Sequence, residues 1–189
     1  MSEKNILSVT DRQAFRDWLL EHSSVETECW VHVKRGKPID PETFYYLDAV
    51  EEALCFGWID STIRHTDEFH RAQRFTPRRK GSPYSQPNIE RLIWLNSQGL
   101  IHPRVREQIL PVIEAPFEFS GDIIDVLKQD DIVWENYQKF SESYKRIRVA
   151  YIEAARKRPE EFEKRLGNFI KATRQNKLIV GYGGVEKYY

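Results

Sequence analysis

Only two cysteines, Cys29 and Cys55, occur in the 189 residues. They are too few, and too widely separated, for metal binding by cysteine pairs. Both sit in apolar settings, so free buried thiols in a reducing, cytoplasmic compartment are expected. Long apolar runs are lacking as well. No window approaches the roughly 20 apolar residues of a membrane-spanning helix, so a soluble protein with no membrane span is expected. Met1-Ser2-Glu3-Lys4-Asn5 has neither a basic n-region nor an apolar h-region, so no signal peptide is expected. There is no internal repeat and no low-complexity segment. A Walker loop, a dinucleotide fingerprint and a nucleophile elbow are all missing. A Ser-His-Asp triad stays open, because triads ignore sequence order. His32, His65, His70 and His102 lack metal-ligand spacing, and His22 stands at a helix end. No metal and no cofactor is expected.

Net charge is the last absence: 29 Lys and Arg balance 29 Asp and Glu. The balance conceals an alternation. Residues 1–63 carry 6 basic and 12 acidic side chains, and residues 64–106 carry 9 and 3. Residues 107–136 carry 1 and 8, and residues 137–189 carry 13 and 6. Such blocks either pair within the fold or face an anionic partner; each basic block has an acidic neighbour, which favours internal pairing.

What is present is enough apolar material for one domain, or one domain with a helical appendage. Hydrophobic residues make up 40 % and aromatics 13 %, the latter able to bury large areas. A helix is expected from Thr10, which has capping-box spacing to Gln13. Cys29, Val31 and Val33 alternate with polar neighbours, as in a half-buried strand, and Arg35-Gly36-Lys37-Pro38 turns the chain. Tyr46, Ala49, Val50, Ala53 and Leu54 have helical spacing, with Gly57 placed to end the helix. Trp58 to Arg64 alternates, Trp58, Asp60, Thr62 and Arg64 facing one way. With a second short strand at 71–76 it makes an antiparallel hairpin around the Thr66–Phe69 loop, ended by Pro77. A basic loop follows, and a helix opens near Ser85 with Pro87 in its first turn. After Pro103 the chain reads as helical, interrupted at Pro111 and Pro116. Helices are expected near 121–128, 131–140, 142–157 and 159–176. The fold class expected is α+β, a small antiparallel β-sheet packed against helices and followed by a helical C-terminal part. The domain reading is 1–115 for the core, 116–180 for the helical segment, and 181–189 for a flexible tail.

One stretch carries more than a structural pattern. Glu51-Glu52-Ala53-Leu54-Cys55-Phe56-Gly57-Trp58-Ile59-Asp60-Ser61 runs a helix into a "GWID" strand start. Arg74-Phe75-Thr76-Pro77-Arg78-Arg79 follows, then Ser82-Pro83-Tyr84-Ser85 and Asn88. With Tyr144 to Lys177, these segments resemble the YdeI/OmpD-associated (bacteriocin-protection) family over roughly residues 28–178. Tyr84 departs from the family's more usual Trp. The resemblance implies a role in resistance to bacteriocins or other antimicrobial peptides, and no particular reaction.

The residues themselves suggest an anion pocket of Trp58, Asp60, Arg74, Arg78, Arg79, Ser85 and Asn88. Arginine forks match carboxylate or phosphate, and a helix start favours anions. Each has a structural alternative. Asp60 and the arginines pair as an internal lock, Ser85 and Asn88 cap their helix, and Trp58 packs in the core. Cys55, near a helix C-terminus, reads as a small core residue rather than a nucleophile. Glu51 and Glu52, adjacent on a helix, are expected to diverge, one of them approaching an arginine of the basic loop. The lysines and arginines from Lys145 to Lys177 are interleaved with Tyr144, Tyr151, Phe162 and Phe169. They read as a solvated face paired to the 107–136 block, with nucleic acid the less favoured partner. Three functions stay open: binding of an anionic small molecule, with or without catalysis; a protein-interaction or structural module in envelope stress; and nucleic-acid binding.

Overall fold

Residues 6–36, 39–40, 42–66, 71–180 and 186–188 are described by the computed structural model. The expected turn at Lys37-Pro38, most of the hairpin loop, His70 and most of the expected tail lie outside the described residues.

Local chemistry explains where the elements begin and end. Helix α1 spans Arg12–His22 and is capped by Asp11, whose carboxylate accepts the Ala14 N–H at 2.8 Å. The expected cap at Thr10 is one residue early, because Asp11 takes the cap. Helix α2 (Tyr46–Cys55) ends at Gly57, whose φ of +74° is the left-handed value that suits glycine. A Cβ there would come within 3.0 Å of the Val105 side chain, so space as well as conformation favours glycine. Strands β1 (Ile6–Leu7), β2 (Cys29–His32), β3 (Trp58–His65) and β4 (Arg71–Pro77) form one sheet in the order β1-β2-β4-β3. The β2–β4 and β3–β4 pairs are antiparallel, but β1 pairs β2 in parallel. The sheet is therefore mixed, and its two-residue first strand is too short to show in the sequence pattern.

A register shift between Asp60 and Ile63 interrupts β3. Asp60 pairs with Phe75 and Ile63 with Gln73, so three steps on β3 match two on β4. The extra residue reverses the expected alternation. Ile63 joins the face of Asp60, Gln73 and Phe75, whereas Arg64 moves to the opposite face with Arg74 and Trp30. There the Arg64 guanidinium lies 4.2 Å from the centroid of the Trp30 ring.

Two compact units emerge. The first comprises residues 1–84 and 92–113, and the second residues 85–91 and 114–189. In the first, Phe15 and Leu19 of α1 and Ala49, Ala53 and Leu54 of α2 cover the inner sheet face at Cys29, Val31 and Phe75. Helix α3 spans Gln86–Ser97, and α4 spans Pro103–Glu114 with Pro111 inside it rather than ending it. Pro111 and Glu107, four residues earlier, are both exposed, so water can satisfy the carbonyl that loses its helical donor. The second unit contains α5 (Gly121–Lys128), α6 (Asp131–Lys139), α7 (Glu142–Glu153) and α8 (Pro159–Arg174). Ser141 caps α7 and Pro159 opens α8, as their residue types predict. Its core is Ile123, Leu127, Val133, Tyr137, Tyr144, Ile152 and Phe169. The α+β class stands, with a helical C-terminal part.

Candidate functional site

The inner sheet face ends in a polar corner beside the start of α2. The Tyr46 hydroxyl donates to Asp60 at 2.6 Å. Arg35 lies over the Tyr46 ring, 4.1 Å from its centroid, and donates to the Gln73 side-chain carbonyl at 2.7 Å. Gln73, 1 % exposed, sends its own amide to the Thr62 and Arg74 backbone carbonyls, each at 3.2 Å. The bulge in β3 turns Ile63 toward this corner. A hollow of about 230 Å³ opens there, lined by Val33, Lys34, Arg35, Ile63, Arg71 and Gln73. Three of the six are cations, and no carboxylate stands among the described lining residues.

The residues singled out in the sequence are placed differently from one another. Asp60 belongs to this corner through Tyr46. Arg74 does not reach Asp60. Asp60 stands opposite Phe75, so its neighbour Arg74 projects from the other face, where it pairs with Glu28 at 2.5 Å. Arg78 folds over Tyr84, 3.6 Å from the ring centroid, and donates to the Ser82 and Pro83 carbonyls at 3.1 and 3.0 Å. It fastens the basic loop. Arg79 is exposed. Trp58 is 1 % exposed, edge-on to Trp18, and its indole N–H donates to the Ser23 carbonyl at 3.1 Å. Its ring offers no face to a ligand. Ser85 and Asn88 belong to the second unit, where Asn88 accepts from Arg91 at 2.7 Å. Arg35 and Arg71 were missed because the β2–β4 register that gathers them, with His32 opposite Ala72, leaves no sequence signature. Basic residues beside the hairpin's loop end, Arg71 on β4 and Lys34 and Arg35 after β2, are the hint the sequence offers.

Glu51 and Glu52, expected to diverge, meet the same arginine. Arg12 Nε donates to Glu52 at 2.5 Å and its Nη1 to Glu51 at 2.9 Å. Arg16 donates to the second Glu52 oxygen at 2.6 Å and to the Leu100 carbonyl at 2.8 Å. Both carboxylates are almost wholly buried, at 1 and 2 % exposure. Adjacent helix positions diverge by about 100°, but the long Arg12 side chain spans that gap. The expected partner in the basic loop is replaced by two arginines one turn apart on α1. Burial pulls the Arg12 pKa down, yet Glu52 and Glu51 outweigh it and hold the pKa above the ordinary arginine value.

Cys55 lies beneath this clasp. Burial first, and Glu52 second, push its thiol up to about 12, against the smaller pull of Arg16. Burial, with Glu28 and Glu26, likewise takes Cys29 to about 12. Neither forms a thiolate near neutrality. At pH 8 both thiols should react with a disulfide reagent at least about a hundredfold more slowly in the folded protein than in urea-unfolded chain. Rapid native labelling of either would contradict the burial.

Residues 7–108, more than half of the chain, match the family model described as a domain of unknown function, DUF8412. The chain belongs to that family. Residues 116–176 match a second model, described as bacteriocin-protection, YdeI or OmpD-associated. The resemblance read in the sequence thus stands over α5 to α8, whereas Glu51–Asn88 lies in the DUF8412 part. No curated protein and no solved structure matches the chain.

Over the C-terminal helices, several basic side chains have acidic partners. Arg156 bridges Asp122 and Glu153, at 2.5 and 2.6 Å. Hydrogen bonds from Arg156 hold both carboxyls below their usual range. Arg174 pairs with Asp130, and Arg165 with Glu161 at 2.7 Å. Arg146 grips the buried Glu90 of α3 through two hydrogen bonds of 2.6 and 2.7 Å. Asp122 and Asp130 come from the 107–136 acidic block, so part of the block alternation is internal pairing. Tyr144 and Phe169 are buried rather than presented for base stacking. Among the described residues, no group of three His, Cys, Asp or Glu is placed to hold a metal ion, and no helix is long and apolar enough to cross a membrane.

Proposed function

We propose that this protein binds a small anion, a carboxylate or a phosphate, at Lys34, Arg35 and Arg71. The observation that carries the reading is the convergence of three cations on one hollow, with no carboxylate among its described lining residues. Gathered like charges repel, and a bound anion relieves that repulsion. Arg35 is already oriented by Tyr46 and Gln73, so binding costs little further ordering of its side chain. Val33 and Ile63 favour an anion with a small apolar part.

Relative to a pocket between the GWID strand and the basic loop, this reading keeps Asp60, acting through Tyr46. It moves the cations to the other end of the hairpin. Residues 1–115 are then the ligand-binding core and 116–180 a helical segment. Two buried free thiols support a cytoplasmic location. Protection against a bacteriocin or antimicrobial peptide is the physiological setting, supported by the match over 116–176. The anion site would contribute to it indirectly.

The test is thermal unfolding with inorganic phosphate and with butyrate at constant ionic strength. A saturable rise in Tm is expected with at least one of them, since a ligand of the native state stabilises it by mass action. Arg71→Glu, at an exposed position, should fold normally and weaken the response about tenfold. No rise with either anion, or an equal response from the variant, refutes the site.

A further inference from the structure

A hollow of about 400 Å³ in the second unit lies between α7, α8 and the segment that follows α8. Its size falls within the range of small-molecule sites. One wall is apolar: Ile152 of α7, Phe169 of α8, and Ile179 and Val180 beyond it. The Ile179 N–H donates to the hydroxyl of the buried Tyr144 at 2.9 Å, which ties this segment to the core. Val180 is nonetheless 66 % exposed, an apolar side chain left at the mouth.

The facing wall is polar and cationic. Arg165 lies over Tyr151, its guanidinium carbon 3.8 Å from the ring centroid. Its Nε is held by Glu161 at 2.7 Å and its Nη1 by the Tyr151 carbonyl at 2.7 Å. These bonds fix the guanidinium and leave Nη2 as a placed donor. They also use Glu161, the one carboxylate among the described lining residues. Lys164 and Asn168, four residues apart on α8, stand beside it, and both are exposed. Neither has a side-chain hydrogen bond to the described residues.

A fixed guanidinium, a mobile ammonium and a neutral amide converge opposite an apolar wall. We infer that this hollow binds an amphipathic monocarboxylate, its carboxylate at Lys164, Arg165 and Asn168 and its hydrocarbon part against Ile152, Phe169 and Val180. A carboxylate answers the planar donor set, and the hydrocarbon removes the exposed apolar surface from water. A phosphate alone would leave the apolar wall wet, and a neutral lipid would leave the cations unanswered.

Octanoate is the probe, with octanol and acetate supplying the apolar half and the charged half separately. The readout is the shift of backbone amide NMR signals of the full chain. Octanoate should saturably shift the signals of Lys164, Asn168 and Ile179. Octanol and acetate should each bind at least about tenfold more weakly. Lys164→Glu, on an exposed helix face, should lower octanoate affinity about tenfold with an unchanged Tm, and Val180→Asp should do the same. Arg71→Glu should leave octanoate binding unaltered, which separates this site from the anion site of the first unit. Octanol binding as tightly as octanoate, shifts confined to other residues, or an unaffected Lys164→Glu variant would each overturn the assignment.

Discussion

Glu52→Ala is expected to lower the unfolding free energy by about 3 kcal/mol, among the largest losses any single surface or core change should cause. The carboxylate is buried and answers two guanidinium groups at once, Arg12 and Arg16. Its removal leaves Arg16 without a carboxylate partner, held by the Leu100 carbonyl, the Cys55 side chain and the Phe56 ring, and Arg12 with Glu51 and a longer contact to Asp48 at 3.5 Å. The two arginine side chains are 34 and 26 % exposed, so water partly rescues them. That places the cost at the lower end of the range for broken buried pairs. Urea unfolding followed by circular dichroism is the measurement, with an unchanged m-value expected. A double variant, Arg16→Met with Glu52→Leu, should recover much of the loss, because it removes both charges and keeps the volume. If Glu52→Ala instead left stability intact, Glu51 and Glu52 would no longer be a clasp between α1 and α2, and a chemical role for them would reopen.

Trp58→Ala should cost about 3–5 kcal/mol, and Trp58→Phe about 1–2 kcal/mol. The first empties the largest wholly buried side chain of the first unit. The second keeps a ring against Trp18 and loses mainly the hydrogen bond to the Ser23 carbonyl. The pair separates packing from recognition. A core residue changes melting and leaves anion affinity alone, whereas a stacking platform for a ligand does the reverse. Phosphate or butyrate binding by Trp58→Phe, measured at a temperature where the variant is fully folded, should match the unaltered protein.

Both variants lie within or next to the GWID segment, where the sequence is most distinctive. Asp60, Trp58 and the arginines of 74–79 were grouped because they are close along the chain and across a hairpin. Chain proximity does not say which face of the sheet each side chain takes. Asp60 stands opposite Phe75, and that single pairing sends Arg74 to the outer face and into Glu28. The bulge between Asp60 and Ile63 then reverses parity for the rest of β3. It draws Ile63 to the inner corner and Arg64 onto Trp30. A bulge costs one residue and leaves no compositional mark, so alternation reads straight through it.

The parts that were legible share a different physics. Cap residues act on backbone within one turn, which is why Ser141, Pro159 and Gly57 end or begin their helices where their types predict. Where two cap candidates adjoin, as at Thr10 and Asp11, the local signal settles the helix but not its first residue. The two-residue β1 depends entirely on its parallel partner β2 and has no periodicity of its own.

The Glu51–Asn88 stretch shows the division within one segment. By itself the sequence determined that a helix, a strand pair and a second helix follow one another there, because those elements rest on short-range patterns of apolar and capping residues. It also determined the resemblance over the C-terminal helices. Tertiary structure alone decided what the charged residues do. Arg12 and Arg16 take Glu51 and Glu52 across two helices, Arg78 closes its own loop on Tyr84, and Arg35 and Arg71 meet Lys34 at the hollow. A long charged side chain has many partners within reach, and only the register of the sheet and the packing of α1 on α2 select among them.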